Sequence, residues 1–408
     1  MLRAFLLTLG AALFVAACGS DAMMTPPDTS LHAYTADDPN IQTAGYMGRI
    51  DFTNPQQPKF SLAATTITAS FMGTGVSVLI KDEYRYGMFK NYYDAQIDGM
   101  PATKITMSGD PAMFEYTVAT DLPYGQHTLV LAKRTEPNVG NGFFAGINVS
   151  GTILPAPARP TRKIEFMGDS ITSGAGVEAS GQNDPACMLD NGYALALMDA
   201  NLAYDADTGR DLGADYHILG VSGIGLTRNY TSDPRNDLRP MPQVYDLLLP
   251  QLTDTSAANT WDTTKWVPDA VVVALGTNDF SPGDNPALTA PGTPATARPL
   301  MDVGAFVTAY VAFVDQLRAY YPSAHIFAMG SPMLVDDWPT AGLYKSRTDL
   351  ENALTMVQNH YATAGDAKVH KVSIAKVPGT GCGTHPGVAE HQAVAATLEA
   401  AIKTALAW

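Results

Sequence analysis

The sequence predicts two joined folds: an all-β sandwich or jelly roll, then an α/β domain on a parallel sheet. Three observations carry this. Between residues 41 and 155, short apolar runs alternate with turn residues at regular spacing. Pro155-Ala156-Pro157-Ala158-Arg159-Pro160 then interrupts regular structure. From Lys163 onward, apolar runs alternate with helical stretches. A chain of 408 residues has room for two such units, at roughly 100–200 residues per domain.

The first segment reads as an address. Met1 to Cys18 carries one cation, Arg3, then an apolar stretch and small residues ahead of a cysteine. It is too short and wrongly flanked for a permanent membrane span. Val15-Ala16-Ala17-Cys18 resembles a bacterial lipobox, which implies cleavage after residue 17 and lipidation of Cys18; an ordinary secretory signal is the alternative. Residues 18–40 are polar, with Pro26-Pro27 and several acids, and read as a flexible tether.

In the front domain, residues 41–155, the expected strands are Phe60–Leu62, Ile67–Phe71, Val76–Ile80, Ala95–Ile97, Phe114–Val118 and His127–Leu131. The turns between them are Gly73-Thr74-Gly75, Asp98-Gly99 and Pro123-Tyr124-Gly125. In the second domain, residues 161–408, the expected strands are Lys163–Met167, Tyr216–Val221, Ala270–Leu275, His325–Met329 and Lys368–Ile374. Helices are expected at Asp302–Tyr321, Arg347–Ala364 and Val388–Ala407. Apolar strands alternating with helices imply a parallel sheet covered on both faces, with ligands binding beyond the strands' carboxyl ends.

Composition narrows the function. There are 25 basic against 40 acidic residues, a net charge of -15, which argues against nucleic acid as a main partner. Three cysteines without a CxxC spacing make neither a disulfide scaffold nor a zinc site.

Chemistry-bearing residues collect at the strand ends. Gly168-Asp169-Ser170 follows the first strand; Ser170 is either a nucleophile or a helix cap. It lacks the G-x-S-x-G elbow, since Thr172 follows. Ser222-Gly223-Ile224-Gly225 follows the second strand, where a backbone N–H can approach a ligand; the dinucleotide glycine spacing is not met. Asn278, after the third strand, can donate to an oxyanion or close an Asx turn. His385, after the fifth, is the type of residue that serves as a general base. Four signals at four ends of one sheet supply what acyl transfer requires.

These blocks, Gly168-Asp169-Ser170, Ser222-Gly223, Gly276-Thr277-Asn278-Asp279 and His385-Pro386, resemble those of SGNH (GDSL) hydrolases, more specifically carbohydrate esterase family 2. Gly48-Arg49-Ile50-Asp51, Asn91-Tyr92-Tyr93, Ile97-Asp98-Gly99, Gly125-Gln126-His127 and Lys133-Arg134-Thr135-Glu136 resemble that family's jelly-roll domain. The resemblance implies a three-layer, flavodoxin-like α/β domain with Ser170 as nucleophile and His385 as base. It places an oxyanion hole on the Ser170 and Gly223 N–H groups and the Asn278 amide. It also implies acetylated polysaccharide or oligosaccharide, of the xylan or glucomannan class, as substrate.

One departure stands out. Family members commonly carry an acid two residues before the histidine, and here that residue is Gly383. A backbone carbonyl could orient His385, an acid from elsewhere could replace the missing one, or the enzyme could be weakened. With Cys18 lipidated, Cys187 and Cys382 remain in loops expected at the same sheet edge. In an oxidising compartment a Cys187–Cys382 disulfide is the hypothesis, against two unpaired buried thiols. Trp338 is a candidate sugar platform or a packing residue, Tyr193 reads as packing a helix onto the sheet, and His391 as structural.

The expectation is therefore a lipid-anchored cell-envelope esterase, monomeric, touching membrane only through its lipid and needing no metal or cofactor. The rivals are an esterase on another acyl carrier, such as a short-chain lipid ester or envelope glycan, and a surface glycan-binding protein with weakened turnover.

Overall fold

A computed structural model describes residues 27–230, 239–250, 259–283, 299–338 and 344–408. Cys18 and the leader lie outside the described residues.

The front domain is an antiparallel β structure of ten strands. They are β1 (Leu31–Thr35), β2 (Tyr46–Met47), β3 (Ile50–Asp51), β4 (Lys59–Phe60), β5 (Thr66–Asp82), β6 (Tyr92–Ile97), β7 (Thr103–Thr106), β8 (Met113–Ala119), β9 (Gly125–Lys133) and β10 (Gly142–Leu154). Strand β5 is the spine. Its first half pairs with β9, its second half with β8, and β10 runs along nearly all of it. Alternate residues point inward. Phe71, Val78, Ile80, Tyr93, Phe144, Ile147 and Val149 are fully buried in one core.

Two expectations are corrected here. Gly73-Thr74-Gly75 is no turn; β5 passes straight through it. The glycines serve close approach instead, because a Cβ on Gly73 would lie 2.3 Å from the Ser150 carbonyl oxygen across a bulge in β10. The tether is also shorter than residues 18–40. Leu31–Thr35 pairs with β10, and Ala36 and Ile41 are fully buried. Polar composition suggested a loose segment, but an edge strand makes its ladder from backbone groups, and two small anchors suffice to dock it. Strands β1, β2, β3, β7 and β10 lie beyond those read from the sequence, and of the expected Phe60–Leu62 run only Phe60 is in a strand.

The second domain holds β11 (Arg162–Gly168), β12 (Ala214–Gly220), β13 (Ala270–Ala274), β14 (His325–Met329) and β15 (Val369–Val372). They form a parallel sheet in the order β12-β11-β13-β14-β15. Its main helices are α1 (Tyr204–Asp211), α2 (Val303–Tyr320), α3 (Ser346–Thr363) and α4 (Val388–Leu406). One face packs against Phe306, Tyr310, Phe313 and Leu317 of α2 and Leu350, Leu354, Val357 and Tyr361 of α3. The other packs against Tyr204 of α1 and Val394, Leu398 and Ile402 of α4. The spacing of three and four is that of a one-sided helix, and it makes the sheet a middle layer. Because β11 sits between β12 and β13, the chain leaves the sheet in opposite directions there, opening a crevice at the strands' carboxyl ends.

The domains are welded by buried polar contacts. Arg49, fully buried, donates to the carbonyls of Tyr245 and Leu247 and pairs with Glu165 Oε1 at 2.9 Å, while Tyr245 OH donates to Glu165 Oε2. Removing one member of such a pair strands a buried charge, at a cost of about 3–5 kcal/mol.

Candidate active site

Strand β11 delivers the serine. Gly168 closes the strand, where a Cβ would meet Thr172 Oγ1 at 2.1 Å, so only glycine lets the chain fold back so tightly. Ser173 N–H then donates to the Asp169 carbonyl, Ile171 N–H to Asp169 Oδ1, and Ala175 N–H to the Ser170 carbonyl. Ser170 stands half-buried at the sheet edge. Asp169 is buried beneath it, and burial pushes its carboxyl up to about 7.

The histidine arrives from the loop between β15 and α4. Glu390 of α4 accepts hydrogen bonds from the N–H groups of Gly379, Thr380 and Gly387, clamping the second half of that loop on both sides of His385. Gly383 and Thr384 have φ of 57° and 71°, and this reversal turns the Cys382 carbonyl back toward the ring. A positive φ at a β-branched residue is a strained conformation, the kind held by its surroundings at functional sites. The result is a chain of contacts. His385 Nε2 lies 2.8 Å from Ser170 Oγ, and His385 Nδ1 lies 2.8 Å from the Cys382 carbonyl oxygen. A carbonyl can only accept, so Nδ1 carries the proton and Nε2 is left as the acceptor for the serine hydroxyl. Burial holds the His385 pKa below the ordinary imidazole value. Cys382 and Cys187 are joined by a disulfide, with Cα atoms 5.5 Å apart. The atom that orients His385 thus belongs to a cross-linked residue.

The facing side of the cleft is built by the turns after β12 and β13. Gly276, at φ 125° and pressed against Leu350, starts the turn that presents Asn278. Asn278 Nδ2 donates to the Ile224 carbonyl at 2.8 Å, and an amide nitrogen has two hydrogens, so this bond fixes the amide with one of them. Asp279 takes the N–H groups of Leu226, Thr227 and Arg228, holding the loop that begins at Ser222. Gly223 has φ 78°. Among the described residues, neither the Ser170 nor the Gly223 N–H has a protein acceptor.

Ser170, Gly223, Asn278 and His385 line one cleft of about 840 Å³, together with Trp338, a residue 55% exposed. Tyr193 does not pack a helix onto the sheet. It lines the same cleft, edge-on to Phe89 of the front domain at 5.4 Å, because the chain around it is a series of short turns and not a long helix. His391 is fully buried on α4, with Nδ1 accepting the Tyr204 N–H. The carbonyl is the first of the three alternatives that the sequence left open for orienting His385, and the structure names it as that of Cys382. The roles of Asp279 and Glu390 escape a reading of the sequence, because acids at helix starts are a common surface pattern. Among the described residues, no cluster of His, Cys, Asp and Glu could hold a metal ion.

A serine presented at the carboxyl edge of a parallel sheet, with a histidine on its hydroxyl and amides beside it, defines an acylhydrolase fold of the GDSL-like kind. The GDSL-like Lipase/Acylhydrolase family model matches residues 166–393, so the chain belongs to that family, a class of carboxylic ester hydrolases. The front of the chain, residues 46–157, matches the carbohydrate esterase 2 N-terminal model. The chain is 35% identical over 367 residues to the cellulase/esterase CelE of Acetivibrio thermocellus, covering 89% of this chain but only 39% of that protein. It is 25% identical over 404 residues to an acetylxylan esterase / glucomannan deacetylase of Cellvibrio japonicus, covering 99% and 98% of the two. The structure of a family two carbohydrate esterase from Clostridium thermocellum in complex with cellohexaose superposes with a TM-score of 0.73 at 32% identity, covering 89% of this chain and 99% of that one.

Proposed function

We propose that the protein removes O-acetyl groups from polysaccharides or oligosaccharides of the acetylated xylan and glucomannan class, through an acetyl-enzyme on Ser170. The observation that carries this is the linear relay from Ser170 Oγ through the His385 ring to the Cys382 carbonyl, with both contacts at 2.8 Å.

In this reading His385 Nε2 takes the Ser170 proton as Oγ attacks the acetyl carbonyl. The oxygen that becomes negative is met by the Ser170 and Gly223 N–H groups and the Asn278 amide. The imidazolium keeps its Nδ1–H on the Cys382 carbonyl and returns the other proton to the leaving sugar oxygen. Water then repeats the sequence on acetyl-Ser170 and releases acetate. No step calls for a metal or cofactor. The choice of sugar is supported by the exposed Trp338 indole on the cleft wall, a flat apolar face for a pyranose ring, and by the family relatives. The same reading takes the protein as a monomer held at the cell envelope by lipid on Cys18, supported by Val15-Ala16-Ala17-Cys18.

Acetate release from acetylated xylan and glucomannan, set against release from short-chain lipid esters, tests the substrate class. Faster release from the glycans is expected. Preference for the lipid esters would move the activity to another acyl carrier, and glycan binding without release would favour a binding protein.

A further inference from the structure

We propose that the β domain supplies a positioning residue to the oxyanion hole: Glu136, whose carboxylate holds the Ser222 N–H and so aims the next N–H, that of Gly223, into the cleft. This rests on the reading of Gly223 given above.

The direction of the Gly223 N–H is set by the peptide that precedes it. Three neighbouring bonds come from the α/β domain itself. Val221 N–H donates to the Gly168 carbonyl at 3.1 Å, Ile224 N–H to Val221 at 3.2 Å, and Tyr230 N–H to the Gly223 carbonyl at 2.7 Å. The fourth comes from the other domain, where Ser222 N–H donates to Glu136 Oε2 at 2.6 Å. A bond to a carboxylate is short and strong, and Glu136 is fully buried where no water competes for it.

Glu136 is itself braced. The Nζ of fully buried Lys133 donates to the carbonyls of Thr135 and Glu136 at 2.6 and 3.2 Å. Arg134 Nη1 contacts Asp94 at 2.8 Å and Asp199 at 3.0 Å, and the Arg134 carbonyl accepts the Ala200 N–H. Asp199 N–H in turn donates to Gly174 in the loop behind Ser170. The four residues Lys133 to Glu136 thus reach the nucleophile loop through Asp199 on one side and touch the oxyanion turn directly on the other. A surface segment that only joined domains would not need four polar side chains buried to 2% exposure or less.

Glu136→Ala, Glu136→Gln and Lys104→Ala test this. Lys104 makes a cross-domain contact to the Ala196 carbonyl and to Glu178, a carboxylate it shares with Arg134, without reaching the oxyanion turn. In Glu136→Ala, kcat should fall about 10- to 100-fold with KM within about threefold, because a misaimed donor is lost only in the transition state. Glutamine keeps an acceptor oxygen, so Glu136→Gln should recover kcat to within about threefold of wild type. Lys104→Ala should leave kcat alone. Amide hydrogen exchange over residues 222–226 should quicken in the alanine variant and not in the glutamine one. A folded Glu136→Ala protein with wild-type kcat and exchange overturns the proposal, as does an equal fall in Lys104→Ala. If the wild-type protein hydrolyses no ester, the reading of the previous section has failed; the exchange comparison still decides this one.

Discussion

The Cys382 carbonyl oxygen holds His385 Nδ1 at 2.8 Å, at the place in the relay where an acid would otherwise stand. Its consequence is a fixed tautomer without a fixed charge. An acid would orient the ring and also stabilise the imidazolium, whereas a carbonyl orients it and offers only a dipole.

A pH dependence follows. The proposed mechanism needs the neutral ring, and burial lowers the His385 pKa. The base is therefore in its working form above that lowered value and is lost as pH falls through it. The acid limb of kcat/KM should lie below about 6.5, the ordinary imidazole value. A limb above that value would point to a hidden carboxylate beside the ring.

Gly383→Asp puts back the acid. Its Cβ would meet no heavy atom within 4 Å, and φ 57° is a region aspartate tolerates better than most residues. The new charge favours the imidazolium, so the acid limb should move to higher pH. The tautomer is already fixed, so kcat should rise by less than about tenfold. A gain of about a thousandfold would mean that the carbonyl does not orient the ring.

The double variant Cys187→Ala/Cys382→Ala should lose both stability and turnover. The cross-link closes a span of 195 residues, and removing it should cost about 2–5 kcal/mol, read from denaturant unfolding. Freed of it, the Cys382 carbonyl should hold His385 less well and kcat should fall while KM stays. Unchanged kcat in the folded double variant would show that the Glu390 clamp suffices alone.

Much of this was legible in the sequence, for a physical reason. Ser170 and Asn278 each stand just beyond an apolar run and His385 in the longer loop after the last one, and a parallel sheet brings those connections to one edge. The helices were legible because Phe306, Tyr310, Phe313 and Leu317 repeat at helical spacing. What the pattern hid is what depends on packing between distant segments. Gly73 looks like a turn until Ser150 is placed against it, and Leu31–Thr35 looks loose until β10 offers an edge. Glu136 looks like one acid in a charged run until the second domain sets Ser222 beside it.

The account turns on Ser170 as the atom that takes the acetyl group. Its most direct test is kcat/KM of the wild-type and Ser170→Ala proteins on a nitrophenyl acetate at a pH above the acid limb. Loss of a nucleophile should lower it at least about a thousandfold, with the fold intact by circular dichroism. A folded Ser170→Ala protein within about tenfold of wild type would contradict it, because the contact with His385 would then be a structural hydrogen bond and the chemistry would lie elsewhere.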